Sequence, residues 1–531
     1  MSTIYVGPSA TGNDSGSSAS NTLGIGSLDK AIQLAGAGGT VVLLSDHGAY
    51  NLTSTINLSH GGADGAAVTI VGQDSSGNAA NVEFDGTRAA TYTAGMAEGN
   101  VVFRLTTGAN DLNFQHITFN NVGMAFLAAF DVHDIAISNM TANNVEYFFG
   151  DYASQSGGTA TVSNLSVSNV DVHGFSKGVI RLQYDSHDIA ISNVFGDSMH
   201  EDGDGIASGV HFDGTAHDAT VVGCTMENAI ATSATYWNGD GFTAERGNYN
   251  LVFQDCTARG NADAGFDIKA VGTVLSGCIA EDNARNFRLW ADGSLINCQA
   301  LDPHKFGGTG GQEQIQVIDG AQVTVTGGVF ADSGSATQVV SFDGGGNIAF
   351  NGTQVVHADT GTLISGSGTY VLSSADLHTV VSTGTYSTNG ASLLAPSTPV
   401  VVTTSDPTDT AQAPATDSSG SKGHKTITYS GDVGTGVVAN PGLHGAGSSV
   451  PIASSTSATP GTGSTTVHVY GGASPAQLLA GLDATDHAAA GAHLAPVLHG
   501  LLPELGAASD FDHAHVQLFA SLHLHGSDLL F

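Results

Sequence analysis

Two aspartate-rich turns stand 23 residues apart in the chain, Asn238-Gly239-Asp240-Gly241-Phe242 and Asn261-Ala262-Asp263-Ala264-Gly265-Phe266-Asp267. Each leads into a short strand-like run, 242–245 and 266–269. If one coil of a solenoid takes about that many residues, the turns stack, and carboxylates distant in sequence become neighbours. Asp240, Asp263 and Asp267 then outline a site for a hard cation such as Ca2+, which takes about six to eight oxygen ligands in loose geometry. Lys269 stands at its edge.

That stacking requires a repeat, and the sequence supplies one. From about residue 100 to 356 an alternating apolar strand, then Asn, Cys or Gly, then a polar turn recurs. Aligning Ile117, Met140, Val170, Val194, Cys224, Cys256, Cys278 and Cys298 gives steps of 23, 30, 24, 30, 32, 22 and 20 residues. Strand-rich repeats of this length indicate a parallel β-solenoid with its insertions in the turns. A second strand aligns over 180–183, 210–213, 242–245, 266–269, 287–290 and 315–318. Period-two alternation turns its first and third residues inward. The outward columns are then Arg181, His211, Thr243, Asp267, Arg288, Gln316 and Gln183, Asp213, Glu245, Lys269, Trp290, Ile318. A solvated sheet face is the plain reading of such columns. Charged residues are only 11% of the chain, however, so their concentration here favours a functional face.

Composition bounds the partners. The 531 residues include 72 glycines and carry a formal net charge of −35, which argues against nucleic acid as a partner. The same charge repels an acidic polysaccharide unless cations or a basic patch intervene. Eight of the 13 basic residues fall between Lys177 and Lys305, and they form that patch: Lys177, Arg181, Arg246, Arg259, Lys269, Arg285, Arg288 and Lys305. The four cysteines, Cys224, Cys256, Cys278 and Cys298, fall one per coil and read as a ladder of small buried residues in preference to disulfides. No apolar run is long enough to span a membrane, and the N-terminus lacks the pattern of a cleaved signal.

The expected organisation is a parallel β-helix over 1–395, a Ser/Thr/Gly/Pro-rich linker over 396–466 and an Ala/Leu/His-rich region over 467–531. Near the start, Ser27 reads as the N-cap of an amphipathic helix over 28–35 that covers the apolar end of the solenoid.

The opening strand TIYVG, the SLDKAIQLA helix and the following GGTVVLL and AVTIVGQ strands resemble the N-terminal cap of pectate-lyase-like right-handed parallel β-helices. The turns NGDGF and NADAGFD resemble the calcium motif of the family 9 polysaccharide lyases. Carried over by position, Asp240, Asp263 and Asp267 match its aspartates, while Ala264 stands where the family has another. The family's base is a lysine well downstream of the second turn. By distance that implies Lys305; by strand geometry Lys269 and Arg288 are rivals. The terminal Asp528-Leu529-Leu530-Phe531 is similar to uncleaved type I secretion signals. The resemblance therefore implies a secreted lyase, monomeric, that meets the type I secretion machinery and an acidic polysaccharide.

β-Elimination at a uronate removes a weakly acidic C5 proton, with Ca2+ on the uronate carboxylate stabilising the developing anion. A base in that setting must be neutral, which a lysine becomes when nearby cations depress its pKa. Arg181, Arg246 and Arg288 can clamp carboxylates, Trp290 and Tyr236 offer faces for sugar stacking, and His211, Asp213 and Glu245 complete the substrate-binding face. Two other readings stay open: a glycoside hydrolase or epimerase on the same fold, with Asp213 and Glu245 as the carboxylate pair, and a non-catalytic exported glycan-binding protein.

Overall fold

The structure, a computed structural model, describes residues 2–380 apart from 155–156, 333–336, 359–361 and 373–376, together with a strand pair at Val401–Thr404 and Ile427–Ser430. That pair is antiparallel and lies within the stretch expected to be a linker. The rest of that stretch, and the region 467–531, fall outside the described residues.

The chain opens with the strand Thr3–Gly7, which pairs in parallel with Thr40–Leu44. Between them the helix Leu28–Ala35 buries Leu28, Ala31, Ile32 and Ala35 over the end of the core, and Gly36, at φ 66°, stops it. The expected cap bond is missing. Ser27 makes no side-chain hydrogen bond, because the chain arrives through a 3-10 turn over Ile25–Ser27. Ser27 is therefore at φ −103°, ψ 19° and not in the extended conformation that aims an N-cap oxygen at the first turn.

From Val101 to Val380 the chain coils, and the strand-to-strand pairings among the described residues there are parallel. Ile117, Met140, Val170 and Val194 are consecutive register partners. The cysteines continue the same row: Thr257, Ile279 and Gln299 each donate a backbone N–H to the carbonyl of Cys224, Cys256 and Cys278, all at 2.8 Å. All four cysteines are free and buried. The reason the repeat works is visible at its corners. Asn139, Asn169 and Asn193 each adopt φ of 52–55°, a left-handed bend that Asn tolerates better than most residues.

The second strand of each coil carries the outward columns. Ile180, Val210, Phe242, Phe266, Phe287 and Ile315 are stacked partners, and all are fully buried. The rings of Phe242, Phe266 and Phe287 stack at centroid distances of 4.8 and 5.3 Å. This apolar column is the rigid backing for the residues on the opposite side of the same strands.

Candidate active site

Arg181, His211, Thr243, Asp267, Arg288 and Gln316 are consecutive partners in one ladder. The second column continues one residue further: Asp213, Glu245, Lys269 and Trp290 donate their backbone N–H to Leu182, Phe212, Ala244 and Ile268. Both columns thus stand as the alternation requires. At the start of the same strands, Asp240 and Asp263 enter from the two turns. Gly265 is obligatory in the second turn, since a Cβ there would lie 2.7 Å from both Asn283 Nδ2 and the Asn286 carbonyl. Those asparagines belong to a buried amide chain. Asn261 donates to Asn283 at 2.8 Å, Asn283 to Asn286 at 3.0 Å, and Asn286 to Gln314 at 2.8 Å. It fixes the entry of three successive strands.

His211, Tyr236, Asp240, Glu245, Asp263, Asp267, Lys269 and Arg288 line one cavity of about 120 Å³, with Ser208, Asn238 and Thr243. Asp240, Asp263 and Asp267 are buried. Asp263 accepts hydrogen bonds from Tyr236 Oη at 2.7 Å, from Arg285, and from Arg288 Nη1 at 3.3 Å. Arg285 also meets Glu313 at 3.0 Å. Asp267 accepts the Trp290 indole N–H at 2.7 Å and lies 3.2 Å from Lys269 Nζ, which donates in turn to Glu245 at 2.6 Å. Asp240 accepts the Ala264 N–H at 2.9 Å and, among the described residues, has no cation within ion-pair distance.

Burial, reinforced by Asp263 and Asp267, pushes the Asp240 carboxyl well above the usual carboxylate range. Burial also raises Asp263, although Arg285 and Arg288 oppose it. For Lys269 burial acts downward, but Asp267 and Glu245 outweigh it and the ammonium is held above its ordinary value. His211 moves the other way: burial, then Arg181, lower it to about 4.

A neighbouring groove of about 370 Å³ is lined by Arg246, Trp290, Asp319 and again Lys269. Arg246 is exposed and bound to Asp319 at 2.5 Å. Arg181 and Asp213 pair with each other at 2.7 Å and line neither space. That pairing bears on the hydrolase pair. Burial works against ionising Asp213, but Arg181 and the Gly214 N–H outweigh it and lower its pKa, so it is no proton donor at neutral pH. Lys305 is exposed on the loop after Leu301 and lines neither space; its backbone N–H donates to Gln312.

The three aspartates share the cavity, but their oxygens do not converge on one point. Among the described residues, the group whose ligand atoms all lie within 4.8 Å of one another is Asp111, His133 and Asp134, elsewhere on the solenoid. Sequence reasoning placed Arg285 in the basic patch but not at the site, and the signal was available. Arg285 is the register partner of Ala264, the position of the departing aspartate, and Glu313 stands next in that row.

No family model and no curated protein matches the chain. Solved structures similar to it include the pectate lyase Pel9A, at 13% identity over 73% of this chain and 82% of that one, TM-score 0.31. An α-1,3-glucanase catalytic domain in complex with tetrasaccharides shares 12% identity over 67% and 66%, TM-score 0.37. The A-module of the Azotobacter vinelandii mannuronan C-5 epimerase AlgE4 shares 13% identity over 67% and 95%, TM-score 0.34. Superpositions this loose leave the site's chemistry to rest on its own residues. No helix among the described residues is long and apolar enough to cross a membrane.

Proposed function

We propose that this chain is an extracellular lyase that cuts a uronate-containing acidic polysaccharide by β-elimination with Ca2+ as cofactor, acting as a monomer exported by type I machinery. The observation that supports it is that Asp240, Asp263 and Asp267 line one cavity together with Lys269 and Arg288, on the basic stretch of an otherwise acidic chain. A polyanion has few other places to dock on a molecule of charge −35.

The residues fit Ca2+ in donor type. Hard carboxylate oxygens dominate, and Asp240 is buried without a cation of its own. Asp240, Asp263 and Asp267 are the residues that would hold the ion. When bound, calcium would neutralise the uronate carboxylate and stabilise negative charge developing at C5. The chain's own groups do the rest. Lys269 and Arg288 present cations to the carboxylate, Glu245 fixes the lysine, and Trp290 offers a stacking face toward the groove.

The test is the ultraviolet absorbance of unsaturated product from a panel of acidic polysaccharides, before and after chelation and after Ca2+ is restored. Cleavage that yields only new reducing ends, or that ignores chelation, refutes the reading. The segment 467–531, on which export rests, lies outside the described residues, and its test is given in the Discussion.

A further inference from the structure

One row of the solenoid carries an aspartate or asparagine at each of six successive coils. Asp111, Asp134, Asn164, Asp188, Asp218 and Asn250 each precede one of the register partners Leu112, Ile135, Leu165, Ile189, Ala219 and Leu251. All six bend left-handed, at φ of 50–56°. Where an asparagine follows an aspartate in this row, its amide serves the carboxylate: Asn164 donates to Asp134, and Asn250 to Asp218 at 2.9 Å. Asp111 is followed by another aspartate and receives no such bond.

Among the described residues, no hydrogen bond or ion pair reaches the Asp111 carboxylate. The residue is nonetheless only 8% exposed. Its oxygens are not sealed from solvent, so a small ion can reach them. Asp188 also has an aspartate next in the row, but its side chain is 69% exposed and water serves it. An unpartnered carboxylate at so buried a position calls for an explanation. Its surroundings supply one. His133 turns Nδ1 to Asp134 at 2.6 Å, and one ligand atom from each of Asp111, His133 and Asp134 lies within 4.8 Å of the other two. Asp64 adds a further negative charge near Asp111.

We propose that Asp111, His133 and Asp134 bind a divalent ion of the first transition row, Zn2+ being the best match, and that this ion ties two successive coils together at their corner. The donor set decides the class. An imidazole with two carboxylates suits Zn2+ and its neighbours, whereas Ca2+ and Mg2+ take oxygen ligands. The ion gives Asp111 the positive partner that the row denies it. Water completes its coordination, since the side chains of His133 and Asp134 are 50% and 40% exposed. The Asp111 carbonyl also accepts the Val68 N–H at 2.9 Å, so the clamp sits where the N-terminal strands hand over to the regular repeat. The site shares no residue with the cavity and does not depend on how the cavity is read.

The experiment titrates Zn2+ into metal-stripped, full-length wild type, Asp111→Asn, His133→Gln and His187→Gln, by calorimetry and thermal melts, with Ca2+ and Mg2+ in parallel. His187 meets Asp188 as His133 meets Asp134, and so controls for a histidine–aspartate pair without the unpartnered acid. The chain has 22 histidines, so the reading is the difference between wild type and variant. Asp111→Asn and His133→Gln are each expected to weaken one Zn2+ site by more than about tenfold and to lose the rise in Tm that it gives wild type; His187→Gln keeps both. In chelator Asp111→Asn is expected to melt no lower than wild type, because asparagine tolerates the bend and its amide can donate to Asp134. Isotherms and melts that are the same in wild type, Asp111→Asn and His133→Gln overturn the site. Ca2+ or Mg2+ binding as tightly as Zn2+ at these residues overturns the class of ion. Should the variants fail to fold, carbethoxylation of wild type by diethyl pyrocarbonate, mapped by peptide mass spectrometry, decides. Zn2+ that shields His133 and leaves His187 reactive supports the site; equal shielding of both, or of neither, rejects it.

Discussion

Trp290 donates its indole N–H to Asp267 at 2.7 Å, across one rung of the ladder, and the Arg288 guanidinium lies 4.5 Å from the ring centroid. The ring is locked from both sides, at the boundary where the cavity gives way to the groove. Trp290→Phe keeps a stacking face and loses the bond; Trp290→Ala loses both. In the alanine variant KM is expected to rise about tenfold, equivalent to ~1.4 kcal/mol, with a smaller rise for phenylalanine and kcat little changed. Steady-state kinetics on the best polymer of the panel checks this. A fall confined to kcat contradicts it.

Asp240 is buried against Asp263 and Asp267. Without a cation, Asp240→Asn imitates the protonated acid that burial favours and keeps an acceptor for the Ala264 N–H. The variant is therefore expected to melt no lower than wild type in chelator, yet to lose the rise in Tm that Ca2+ gives wild type. Thermal melts across a Ca2+ titration read both. An aspartate that merely caps its turn gives the reverse: a lower Tm in chelator and an unchanged metal response.

Asp151, fully buried, accepts the Gln183 N–H at 2.7 Å and the Ser186 hydroxyl at 2.9 Å, yet burial pushes it up to about 7. Between the unfolded value near 3.8 and the folded value near 7, the native state keeps a proton that the unfolded chain has released. Its contribution is full below about pH 4 and is lost as pH rises through 7, by ~4 kcal/mol at the upper limit. Asp151→Asn imitates the protonated acid and is expected to flatten this part of the stability curve. Denaturant unfolding from pH 4 to 8 tests it, and an unchanged slope refutes it.

The composition shift near residue 395 predicts that limited proteolysis leaves a resistant fragment of about residues 1–395 and cuts within 396–466. Removing the last 60 or so residues is expected to abolish export and spare activity. Unchanged secretion of the truncated chain refutes the tail assignment.

Much of the face was legible because a strand's alternation is strict. Once Phe242 and Phe266 are taken as inward, Thr243 and Asp267 must face out, and both columns follow rung by rung. What alternation cannot supply is partner choice. It does not reveal that Arg285 claims Asp263, or that Arg181 claims Asp213. Nor does it locate residues outside the repeat. Lys305 is implied by distance along the chain, and the structure sets it, exposed, on the loop after Leu301 and outside the cavity lining. His211 reads in sequence as a polar face residue; the structure buries it on a cavity wall that it shares with Ile206, Ala207 and Tyr236.

The ladder that seats Arg181, His211, Thr243, Asp267 and Arg288 has one further consequence. Along these strands each coil pairs in parallel with the coil before and the coil after it. The order of side chains on the face is therefore a text written one letter per coil. Excising a complete coil heals the sheet but deletes a letter, and doubling one inserts a letter, without redesign of the core. Such a chain can change its chemistry by editing whole lines, and the apolar column beneath would read the same before and after.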